Sequence, residues 1–148
     1  MISSFVARGF QPRDAALKGP RYIDARKAME QISIGEARYR ILATERNGHW
    51  VARAERADTG TPFGIECDGP TATNVVERLA GWLHWQSAHA AALDALQRAE
   101  RAYHRTIADN AFTNPDGRRT AAEKQRESLN VVAGARVRLD EIRARQPE

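Results

Sequence analysis

Between Ala37 and Cys67 apolar and polar residues alternate with a period of two. Tyr39, Ile41 and Ala43 alternate with Arg38, Arg40 and Thr44, and beyond Asn47-Gly48 the residues Trp50, Ala52 and Ala54 alternate with Val51, Arg53 and Glu55. After Asp58-Thr59-Gly60, Phe63, Ile65 and Cys67 alternate with Gly64 and Glu66. Alternation of this kind puts one set of side chains on one face of a strand. Asn-Gly is the dipeptide that a two-residue hairpin turn favours, because both central positions need positive φ. The pattern predicts a three-stranded antiparallel sheet over about 37–67, with Tyr39, Ile41, Trp50, Ala52, Phe63 and Ile65 on a face that needs a cover.

The period then changes to 3.6. Asp68-Gly69-Pro70 breaks the sheet, and Asn74 with Glu77 three residues on reads as a capping box. A helix is predicted over about 74–111. Val75, Val76, Leu79, Trp82 and Leu83 form a stripe for the sheet, and Trp85, His89, Ala92, Leu96, Ala99, Tyr103 and Ile107 continue a stripe beyond it. Such a helix is about 55 Å long, more than a three-stranded sheet can cover, so its distal half needs another partner. Asn114-Pro115-Asp116-Gly117 is turn chemistry. A second capping box, Thr120 with Glu123, opens a helix over about 120–145 with Ala121, Gln125, Ser128, Val132, Ala135, Leu139 and Ile142 at alternating steps of four and three. The prediction is an antiparallel helical hairpin with a thin, alanine-rich seam.

Ahead of the sheet, Gly9, Pro12, Gly19 and Pro20 punctuate the chain too often for a long element. Residues 1–36 read as an extended arm bearing Phe5 and Phe10, with a short helix near Pro20–Gln31. The fold class is therefore α+β, with an arm (1–36), a β-β-β-α core (37–90) and a helical hairpin extension (91–148).

Composition sharpens this picture. With 42% hydrophobic and 28% charged residues the 148-residue chain can build a core, but alanine supplies much of the apolar content, and an alanine-rich helix needs a close partner. The net charge of +4 suggests nucleic acid at first sight. The excess divides, however, into +2 over residues 1–36 and +2 over 113–148, with none between, whereas a phosphate footprint needs clustering. One cysteine excludes a disulfide within the chain. No run approaches the ~20 apolar residues of a membrane helix, and the first residues lack the pattern of a secretory signal. The default expectation from these features is a cytoplasmic chain that does not engage a membrane.

Candidate chemistry is sparse. His49, His84, His89 and His104 offer no i,i+4 metal pair, and His89 on the apolar stripe reads as a packed histidine. Cys67 beside Asp68 reads as a structural thiol. Gly60, Gly64 and Gly69 fit no phosphate-loop spacing. No catalytic constellation, metal, cofactor or small-molecule substrate follows from these residues. Trp82-Leu83-His84-Trp85 is the most distinctive cluster, with two tryptophans on one helix side. One of them suits core packing, and the other suits an anchor for a partner protein.

Over residues 37–90, three strands followed by a helix, with Arg38, Arg40 and Arg53 on the face away from the helix, resemble in layout the DNA-binding domains of AP2-like and phage integrase type. The likeness implies a sheet laid in the major groove with those arginines on the nucleic acid. Glu55 and Glu66 share that face and would repel phosphates. The first reading is accordingly a non-enzymatic interaction or structural subunit. It docks on a protein partner or on itself through the arm and the hairpin, using Phe5, Phe10, Trp85, Leu96, Tyr103, Val132 and Leu139. The second is a small nucleic-acid-binding regulator using Arg38, Arg40 and Arg53.

Overall fold

The computed structural model describes residues 21–24 and 26–148, so the predicted docking residues Phe5 and Phe10 lie outside the described residues. The chain is α+β: an antiparallel sheet, a long helix α1 (Ala72–Asn110) and a C-terminal helix α2 (Arg118–Arg143). Two compact units divide it, with the boundary inside α1 after His84.

Among the described residues the sheet of the first unit has five strands rather than three. They are β1 (Arg21–Asp24), β2 (Lys27–Ile34), β3 (Ala37–Arg46), β4 (His49–Arg56) and β5 (Pro62–Gly69), paired in chain order as a meander. The short helix expected near Pro20–Gln31 is replaced by β1 and the start of β2. A proline leads into an extended segment as readily as into a helical turn, and pairing with β3 decides the outcome. In that register Ala28 lies opposite Ala43, Glu30 opposite Ile41 and Ile32 opposite Tyr39, so β2 extends the apolar face already formed by β3. Gly35, at φ +60, makes the tight turn between them. The next hairpin turns at Asn47 and Gly48, both at positive φ (53 and 79), the conformation this dipeptide was expected to adopt.

The floor of the core is made of small residues. Ala28, Ala43, Ala52, Ala54 and Cys67 are buried around Ile41, and α1 lays Val75, Val76, Leu79 and Leu83 on them. The helix supplies the volume that the strands lack, at about 1.5–3 kcal/mol for each large aliphatic side chain buried. Tyr39, Trp50, Phe63, Ile65 and Trp82 are partly buried against this core.

Both helices start earlier than the capping boxes suggested. Thr71, not Asn74, caps α1: its Oγ1 accepts the Asn74 backbone N–H at 3.1 Å. A Cβ at Gly69 would press on Val75 Cγ1 at 3.1 Å and displace the end of the Asn74 side chain, so the strand end and the first turn of α1 lie close together here. Helix α2 follows directly on a 3-10 turn, Pro115–Gly117, with no side-chain cap at Gly117. Thr120 is therefore already inside the first turn of α2, where its hydroxyl cannot act as the cap.

Candidate interaction surface

The second unit brings α1, from Trp85 onward, against α2. Hydrogen bonds and one ion pair link the helices in reverse order of sequence. The indole Nε1–H of Trp85 donates to the Ile142 carbonyl at 2.8 Å, Arg136 Nη2 reaches Glu100 Oε1 at 3.2 Å, and Asn110 Nδ2 donates to the Ala121 carbonyl at 2.8 Å. Thr106 Oγ1 lies 3.2 Å from Ser128 Oγ. Because the Thr106 hydroxyl donates its one proton to the Ala102 carbonyl, Ser128 is the donor of that pair.

The seam is thin. Its buried members are Ala92, Ala99, Ala121, Val132 and Leu139, while Leu96, Tyr103, Gln125 and Ser128 are half-buried. Of the docking residues expected from the sequence, Trp85, Leu96 and Tyr103 stand on the stripe of α1 that bears these contacts. Val132 and Leu139 are each only 3% exposed on the matching stripe of α2. The two tryptophans part company: Trp82 packs against the sheet core, whereas Trp85 stacks on His89 with ring centroids 5.1 Å apart. Ile107 leaves the predicted stripe. The rhythm of four and three runs from Tyr103 to Thr106 and Asn110, and Ile107, one position beyond, is 40% exposed.

What sequence reasoning missed lies beside the seam. Ile107 and, on α2, Leu129 (46% exposed) stay open to solvent, as does Phe112 between the helices. The signal was a repeat of seven residues one position beyond the seam, with Leu93, Glu100 and Ile107 on α1 and Ala122, Leu129 and Arg136 on α2. On the opposite side of α1 a shallow depression is lined by Arg101, His104, Arg105 and Ala108.

The outer face of the sheet carries Arg38, Arg40 and Arg53. Arg53 Nε pairs with Glu66 Oε1 at 2.6 Å. Arg40 Nε lies 3.3 Å from Glu55 Oε1 in an off-line geometry that makes no hydrogen bond. Two of the three arginines thus spend their charge on neighbouring strands. Burial pushes the Cys67 thiol up from its ordinary range; Arg78 pulls it back in part and Asp68 adds to the rise. On the inner face, burial and the facing Glu77 carboxylate raise the Glu30 carboxyl. Among the described residues no group of three or more His, Cys, Asp or Glu side chains is placed to hold a metal ion, and no helix is long and apolar enough to cross a membrane.

No family model matches the chain, and neither a curated protein nor a solved structure is significantly similar to it.

Proposed function

We propose that the chain is a non-enzymatic docking or structural subunit whose docking element is an antiparallel helical hairpin, residues 85–143. The observation that carries this reading is the composition of the seam. Its buried residues are three alanines, one valine and one leucine, and its remaining links are hydroxyl, amide and indole hydrogen bonds and the exposed Arg136–Glu100 ion pair. Helix pairs draw most of their stability from the apolar area they bury, and this pair buries little while leaving Ile107 and Leu129 in water. A surface of that kind gains from a further partner. The ion pairs on the sheet's outer face favour this reading over one based on nucleic acid, since Arg40 and Arg53 already have carboxylate neighbours.

The test is the mass of the protein as it exists in its own cells. A chain tagged at its natural locus and isolated at native abundance should run by light scattering in an assembly of fixed composition, larger than its own 16.5 kDa. A lone 16.5 kDa species at native abundance overturns the reading.

A further inference from the structure

We infer that the partner on this hairpin is a second copy of the chain, docked through the flank that carries Ile107 and Leu129; the inference rests on the reading of residues 85–143 as a docking element. The contact between Glu100 and Arg136 establishes which flank of α1 looks the same way as which flank of α2. Positions seven apart on a helix point within about 20° of each other. Leu93 and Ile107 therefore share the flank of Glu100, and Ala122 and Leu129 share that of Arg136. Leu93 and Ile107 on α1 and Leu129 on α2 thus add large apolar side chains beside the two seam positions per heptad, with the Glu100–Arg136 pair on the same flank. A third apolar position beside the seam is what a helix facing the core of a bundle carries, whereas two in seven suffices for a lone pair.

The flank is complementary to itself. Ile107 and Leu129 lie near one level of the hairpin, because Thr106 touches Ser128, and Glu100 and Arg136 share a second level. A two-fold axis parallel to the helices places α1 of one copy over α2 of the other. Ile107 then meets Leu129 of the second copy, and Glu100 meets Arg136 of the second copy, each contact occurring twice as an isologous interface requires. Four helices result, each antiparallel to its neighbours. The two Glu100–Arg136 pairs become a four-charge layer that sets the register, as single polar layers do in coiled coils. The area suffices as well. A helix of 26 residues, the length of α2, extends about 39 Å, and two helices side by side are about 20 Å wide. That face offers about 800 Å² per partner, the size of an ordinary specific interface.

The purified full chain should show twice its 16.5 kDa mass by light scattering. Ile107→Glu and Leu129→Glu, both at positions already open to solvent, should each halve that mass while the circular dichroism of the folded chain is retained. In a Cys67→Ala background, mixing Ile107→Cys chains with Leu129→Cys chains should give a disulfide between the two variants in excess of either homodisulfide. A monomer at every concentration overturns the inference, and so does a dimer indifferent to both glutamates and without the mixed disulfide. If the pure chain is monomeric while the native assembly persists, self-association is refuted and the docking role stands. If both are monomeric, the two fall together.

Discussion

The indole N–H of Trp85 ends on the carbonyl of Ile142, 2.8 Å away and 57 residues further along the chain. Ile142 lies in the last turn of α2, where carbonyls have no helical donor of their own. The carbonyl also accepts the Arg145 backbone N–H at 3.1 Å, so two donors close the helix end. Trp85 does this while its ring stacks on His89. One side chain of α1 therefore anchors the far end of α2.

Trp85→Phe keeps an aromatic ring on the stripe and removes the donor. Chemical unfolding followed by circular dichroism should show a loss of about 1 kcal/mol, the ordinary worth of one hydrogen bond. Trp85→Ala also loses the ring and should cost about 2–3 kcal/mol. Equal stability of Trp85→Phe and the parent would show that the bond to Ile142 contributes nothing.

The Thr106–Ser128 contact makes a different prediction, because both partners are replaceable. Thr106→Val alone leaves the Ser128 hydroxyl without its acceptor and should cost about 0.5–1.5 kcal/mol. Thr106→Val combined with Ser128→Ala removes donor and acceptor together, and the double variant should be less destabilised than the sum of the single ones. Strict additivity in that cycle would refute the pairing.

These contacts show how far the sequence could be read. The alternation from Tyr39 to Cys67, the Asn47-Gly48 turn and the rhythm from Ala121 to Ile142 were visible because each is a local repeat. Strand β2 was hidden by Glu30, a charged residue at an inward position opposite Ile41, which interrupts the apolar alternation of Ala28, Ile32 and Ile34. Only pairing with β3 makes the pattern visible. Apolarity points to Ile107 while the phase of the repeat points to Thr106, and where a seam is polar phase is the better guide. The flank at Leu93, Ile107 and Leu129 is illegible in the sequence for a related reason: its seven-residue spacing has no meaning apart from the contact between Glu100 and Arg136.

Gly48 tests the turn that was most legible. At φ +79 a side chain is strained even though the space around the residue is open. Gly48→Ala should therefore destabilise the protein by about 1 kcal/mol through backbone strain alone. Gly81→Ala makes a contrasting control, since that glycine sits within α1 with nothing near its missing Cβ and no unusual φ. It should stabilise by about 0.5–1 kcal/mol through helix propensity. Thermal melts of the two variants should move in opposite directions, and a shift of both in one direction would contradict the backbone account.

Glu30 gives the first unit a defined response to pH. Its carboxyl is half-buried on the inner face of β2, and burial first and the facing Glu77 second raise its pKa above the ordinary 4.5. The protonated acid is thus favoured in the folded chain relative to the unfolded one. This stabilising contribution is fully present below the ordinary value, and it is lost as pH rises through the raised one. At neutral pH the ionised carboxylate opposes folding, so Glu30→Gln should raise the melting temperature at about pH 7. The same substitution should do little at about pH 4, where Glu30 is protonated in the folded chain. Glu77→Gln should act in the same direction but less strongly, because Glu77 is exposed and contributes the smaller of the two causes. The gain at neutral pH should be below about 1 kcal/mol, in keeping with a partly solvated pair. A loss of stability in Glu30→Gln at neutral pH would mean that the carboxylate is held by a favourable partner, and the repulsion between β2 and α1 would then have to be abandoned.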